Sequence, residues 1–185
     1  MNYLHLKFTF FALFFILFNL PTIAQIQNGT TVVSSKTIIK STEGSEDHKT
    51  LLAVVKAADL EEVLDSKGPF TVFAPSDQAF GKLPDGKIAT LLKPANKDAL
   101  KDLVSYHIVA GNLTAAKILK AMCRGKGIAT FTTVQGNTIT ASMQGIDIVL
   151  TDNFGNSAII TMADANQCNG VIHVIDRVIQ PRKIS

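Results

Sequence analysis

Downstream of Ala24, the side chains best able to do chemistry are His48, His107 and His173, the thiols Cys123 and Cys168, and the pair Ser76–Asp77. An imidazole serves as a base or a metal ligand, a thiolate as a nucleophile, and a serine beside a base as an acyl acceptor. Their spacing argues against each use. No C-x-x-C or H-x-x-x-H pattern occurs, and "CNGVIH" brings only one Cys and one His together, too few for a zinc site. "APSDQAF" (Ala74 to Phe80) lacks the glycines that flank a nucleophile elbow, whereas Ser76 or Asp77 fits a helix cap. "GKLPDGK" (Gly81 to Lys87) has no Walker spacing and is broken by Pro84. No catalytic residue, metal or cofactor is expected, and the chain does not read as an enzyme.

His173 sits in "NGVIHVIDRVI" (Asn169 to Ile179). Val171 and Ile175 share its face of a strand, and Ile172, Val174 and Val178 line the other, so both faces are apolar. A neutral imidazole there donates from one nitrogen and accepts at the other, which makes an internal clamp the expected role. Asp176, beside Arg177, is expected to pair with a basic group or a backbone amide across the sheet.

The elements that must position these groups follow from periodicity. Ser45 stands in N-cap position before a helix carrying Leu51, Leu52, Val55 and Ala58, and a shorter helix carries Leu60, Val63 and Leu64. "FTVFA" (Phe70 to Ala74) is a strand, with a short capped helix after it. "LPDGKIATLL" and "PANKDALKDLVS" read as helical, "YHIVAG" as a short strand, and Thr114 as the cap of "LTAAKILKAM". From Ile128 onward, four β-rich runs separated by "QGN", "QG" and "NFGN" read as a meander, and a long final strand is closed by Pro181. Helices first and a meander after make an α+β domain.

Lys7, the 13-residue apolar run Phe8 to Leu20, and the small residues Thr22 and Ala24 have the layout of a secretory signal peptide. The run is shorter than the roughly 20 residues a membrane span needs. The expected organisation is a signal peptide over 1–24, a flexible leader over 25–36 and one domain over 37–183. The mature protein is then secreted, either periplasmic or extracellular. The chain carries 18 basic and 15 acidic residues, a net charge of +3, with "CRGKG" (Cys123 to Gly127) as its only basic knot, so nucleic acid is not an expected partner. An oxidising compartment leaves open a Cys123–Cys168 disulfide closing a 46-residue loop, with two free thiols as the alternative. Asn28 and Asn112 lie in N-x-[ST] sequons, used only in a host that glycosylates.

"GPFTVFAPSDQAF" (Gly68 to Phe80) and "NGVIHVIDRVI" resemble the two signature segments of the fasciclin (FAS1) domain. "LVSYHIVAGNLTAAKI" (Leu103 to Ile118) resembles the family's Tyr-His segment. The resemblance runs from about Ser45 to Pro181. It implies a wedge of two antiparallel-rich β-sheets flanked by several short α-helices, with Phe70, Val72, Phe73, Pro75, Phe80, His173 and Asp176 as structural signature positions. It also implies a non-enzymatic adhesion module contacting an extracellular or cell-surface protein or polysaccharide, with weak self-association allowed. Leu103, Val104, Tyr106, His107, Ile108 and Val109 are then the candidate partner-binding residues. The alternative role is carriage of an apolar small molecule such as a carotenoid. The cysteine pair is not part of the family pattern.

Overall fold

The aromatic and β-branched run at Phe70 and the valine–isoleucine run at Gly170 form two strands that lie side by side in parallel. The computed structural model describes residues 34–182. The expected signal peptide and all but the end of the expected leader lie outside the described residues. Helices α1 (Ile38–Glu43), α2 (Lys49–Ala57) and α3 (Glu61–Asp65) precede β1 (Phe70–Pro75). Then come α4 (Asp77–Gly81), α5 (Lys87–Leu91), α6 (Lys97–Tyr106), β2 (Ile108–Ala110) and α7 (Ala115–Arg124). The chain closes with β3 (Ile128–Thr132), β4 (Thr138–Gln144), β5 (Asp147–Thr151), β6 (Ser157–Gln167) and β7 (Gly170–Ile175).

The strands join in the order β2-β1-β7-β6-β5-β4-β3. Only β1 and β7 are parallel, with Phe70 opposite Gly170 and Phe73 opposite His173. The two expected sheets are halves of one surface. The N-terminal part of the 11-residue β6 pairs with β5 and its C-terminal part with β7, across register shifts around Met162. Such bulges bend a strand, and the sheet curls until its outer strands nearly meet. There Val109 bridges Thr133, and the Val134 N–H donates to the Ile108 carbonyl at 2.8 Å. The close approach of β1 to β7 depends on Gly170, where a Cβ would collide with the Phe70 carbonyl.

Pleating divides the buried residues between two cores. Val72, Ala74 and Ile172 face the layer of α1, α2, α3 and α6, while Phe73 and Ile175 face the inside of the curled sheet, where α7 inserts Ile118 and Met122. Both faces of β1 and β7 are therefore covered, as expected of strands this apolar.

Three local readings of the sequence change. Helix α6 runs through Tyr106 with His107 as its C-cap, so the expected strand shortens to Ile108–Ala110. Ser45 does not cap α2, which begins at Lys49; instead the Asp77 carboxylate accepts the N–H groups of Lys49 and Thr50 from across the fold, at 3.3 and 2.8 Å. The final strand stops at Ile175, where the Asp176 carboxylate takes the Ile159 N–H at 2.7 Å. Helix α1 is an addition, capped by Thr37, whose hydroxyl also donates to Asp65 at 2.6 Å.

Candidate functional site

Two of the chemistry-bearing side chains, His107 and His173, are built into the fold's interior. His173, fully buried on β7, stacks on Phe73 of β1 with ring centroids 5.7 Å apart. Its Nε2–H donates to the Leu113 carbonyl at 2.7 Å, and its Nδ1 accepts the Asp164 N–H at 3.2 Å. Asp164 sits in the β6 bulge at φ +60°, and its carboxylate caps α7 by accepting the Ala115 N–H at 2.7 Å. One imidazole thus ties β7, the bulge and the start of α7 together. Burial pushes its pKa down, against the Leu113 bond and the Asp164 charge, so the ring is held neutral.

His107 does the same at the other end of the interior. Its Nδ1–H donates to the Leu103 carbonyl at 2.7 Å, capping the last turn of α6, and its Nε2 accepts the Ile179 N–H at 3.3 Å. Burial pushes its pKa down to about 4. Beside it, the Tyr106 hydroxyl donates to the Thr138 carbonyl at 2.8 Å, and burial, with the Asp152 charge second, raises the phenol to about 12. Both histidines spend both ring nitrogens on the backbone, which leaves no imidazole lone pair for a substrate or an ion.

Of the candidate contact residues, Leu103, Val104, Tyr106, His107, Ile108 and Val109 are all buried. None of these six side chains, the candidate partner-binding set, lies on the outer surface of the domain. The aliphatic groups fill the two cores, and the two polar ones have internal hydrogen-bond partners. The signature positions hold the centre: Val72, Phe73 and Phe80 are buried, Phe70 packs against the helical core, and Pro75 ends β1 opposite Ile175. Asp176 joins the Ile159 N–H to Lys82 Nζ at 2.9 Å, with Arg177 Nε at 3.7 Å. Burial opposes its ionisation, but those bonds and charges hold its pKa below the usual carboxylate value. Cys123 and Cys168 are both free and exposed, so the cross-link left open by the sequence is not formed. Among the described residues, no group of three or more His, Cys, Asp or Glu side chains could hold a metal ion.

Two of the concavities among the described residues bear on function. A cleft of about 520 Å³ is lined by Ser45, His48, Ser76, Asp77, Lys82 and Asp176 among others. Most of these groups are already engaged. Ser76 caps α4 through the Ala79 N–H, Asp77 caps α2, Asp176 pairs with Lys82, and the Ser45 hydroxyl and His48 Nδ1 share a hydrogen bond of 2.8 Å. A second, apolar groove of about 140 Å³ lies between α5, α6 and the C-terminal segment at Val178 and Pro181.

Two buried clamps were not singled out from the sequence. Asn169 accepts the Ile38 N–H and donates to the Leu64 and Ser66 carbonyls, at 2.9, 2.7 and 2.8 Å. Asp152 accepts the N–H groups of Phe154, Asn156 and Gln180. The Asn-Gly pair signals a turn, but its reach to α1 and α3 crosses most of the chain.

Comparison with known proteins agrees with this architecture. The family model described as the fasciclin domain matches residues 46–181. The chain is 39 % identical over 172 residues to protein sll1483 of Synechocystis, covering 88 % of each. It is 32 % identical over 139 residues to human periostin, covering 75 % of this chain and 15 % of periostin. A solved FAS1 domain pair from the insect cell adhesion molecule Fasciclin I superposes with a TM-score of 0.69 at 19 % identity, covering 78 % of this chain and 51 % of that one. With signature strands paired at the centre and a family match over residues 46–181, the chain belongs to the fasciclin domain family.

Proposed function

We propose that the protein is an exported, non-enzymatic binding module that contacts an extracellular or cell-surface protein or polysaccharide through its outer surface. The inward commitment of His107 and His173 carries this reading, because each holds two backbone groups and neither faces a reactive cleft. Membership of a family with adhesion relatives supports it. Among the described residues no helix is long and apolar enough to cross a membrane. Export is proposed from the N-terminal sequence, with cleavage after Ala24 exposing Gln25 as the mature N-terminus. The carrier role gains no support from the apolar groove, which holds only about 140 Å³. Pockets for drug-sized ligands begin at roughly 300 Å³.

Immobilised mature protein is challenged with cell-surface and matrix extracts. Retention of a defined protein or polysaccharide, competed by free domain, supports the module. Failure of folded protein to retain any such material overturns it.

A further inference from the structure

The molecule is unevenly charged, and its basic part adjoins Ile146, the most exposed large apolar side chain among the described residues. Residues 103–146 contain no Asp or Glu and four Lys or Arg residues. Three of these lie in the C-terminal half of α7 or just beyond it, at Lys120, Arg124 and Lys126. The turn folds tightly: the Gly127 N–H donates to the Met122 carbonyl and the Ile128 N–H to the Gly125 carbonyl, which leaves Lys126 exposed at φ +57°. Among the described residues, none of the three joins a salt bridge.

Strand β3 begins immediately after this turn. Its register sets Ile128 opposite Ser142, one residue before Met143, and Met143 lies opposite Ile148 near the two-residue turn Gly145–Ile146. Ile128, Met143 and Ile146 therefore lie at the end of the sheet where α7 finishes, with Ile128 on its outer face and Met143, opposite Ile148, on its inner face. They are 54 %, 43 % and 93 % exposed. Single exposed aliphatics are ordinary. Three at one rim beside three cations without acidic partners are a different pattern, since an isoleucine at a hairpin tip gains nothing from water and the cations select an anionic partner. The carboxylate that this hairpin itself contributes is Asp147, next to the tip.

We propose that this rim is a peripheral docking surface for an anionic phospholipid bilayer, with Ile146 entering the headgroup–acyl boundary and Lys120, Arg124 and Lys126 meeting lipid phosphates. A polysaccharide offers no apolar phase for Ile146, which is why the bilayer is the favoured occupant. The contact goes beyond the binding-module reading, and either can fail without the other.

The test is sedimentation of the mature protein with phosphatidylglycerol–phosphatidylcholine vesicles, against pure phosphatidylcholine, at low and high salt. Binding to the anionic vesicles is expected to exceed that to the neutral ones by at least about tenfold and to fall steeply with salt. Ile146→Ser, at a site exposed enough to leave the fold alone, is expected to weaken binding about tenfold while keeping its salt dependence. Joint replacement of Lys120, Arg124 and Lys126 by Gln is expected to abolish the preference for anionic lipid, with an unchanged melting temperature. Equal binding to both vesicle types overturns the proposal, as does indifference to either variant. Retention on heparin without vesicle binding also overturns it, reassigning the rim to a polyanionic polysaccharide. Retention of a protein partner by the variants would leave the adhesion reading standing.

Discussion

Acid should loosen this fold through His107 before its carboxylates begin to protonate. The ring is 4 % exposed, and burial sets its pKa at about 4 in the folded chain, against 6.5 for the free side chain. Because the folded value is the lower one, the unfolded chain binds more protons between these limits. Stability is therefore full above pH 6.5 and lost as pH falls toward 4. A tenfold change in proton affinity is worth about 1.4 kcal/mol, so His107 accounts for a loss of about 3 kcal/mol across that window. His173 is shifted in the same direction and steepens the fall. Asp77 and Asp176 have lowered values, so their contribution is present above the usual carboxylate range and is lost only below about pH 4. The assay is guanidinium unfolding at a series of pH values from 7.5 to 4. His107→Gln lowers stability at every pH but flattens the slope, and the slope is the diagnostic quantity. In wild-type protein, NMR of the His107 ring should show no titration above about pH 5. A flat wild-type profile, or an unaltered slope in the variant, would refute the account of His107 as a neutral buried clamp.

Other perturbations test the remaining internal ties. Asn169→Ala leaves the Ile38 N–H and the Leu64 and Ser66 carbonyls without a partner. It should cost about 3 kcal/mol in urea unfolding. Asp77→Ala removes the long-range cap of α2, with early hydrogen exchange at Lys49 and Thr50 as its local signature. Its cost should be about 1 kcal/mol. Tyr106→Phe strips the hydroxyl from the Thr138 carbonyl. That change should cost about 1 kcal/mol, read as a lower melting temperature. Both Cys123 and Cys168 should react with a thiol reagent in the native protein without reductant; a single reactive thiol, or none, contradicts their exposure as free groups.

How far the sequence revealed this arrangement depended on the range of each interaction. The meander from Ile128 was legible because period-two alternation and Gly-containing turns act within a few residues. That both faces of β7 are covered was legible in "GVIHVI", which is apolar on both. The parallel pairing of β1 with β7, between segments at opposite ends of the domain, left no local trace. Tyr106 misled because "YHIVA" alternates like a strand, while α6 in fact carries it inward to meet Thr138. Ser45 misled for a related reason: the cap it seemed to provide comes from Asp77, far along the chain from Lys49. Cysteine content fixed neither proximity nor bonding, since a thiol carries no signal about where another one folds.

The same range argument bears on how partner contact is to be interpreted. In the Tyr-His segment the side-chain hydrogen bonds run inward, from His107 to Leu103 and Ile179 and from Tyr106 to Thr138. Substitutions there withdraw support from α6, the C-terminal segment and the β4 start together. Any loss of binding they cause is thus expected to travel with a loss of stability. A surface determinant behaves oppositely, as at Ile146 or Arg124, where exposed side chains leave the two cores untouched. Separating affinity from melting temperature, residue by residue, therefore tells the scaffold from the contact face. On this structure Tyr106, His107 and His173 belong to the scaffold, and a contact face has to be built from side chains outside it.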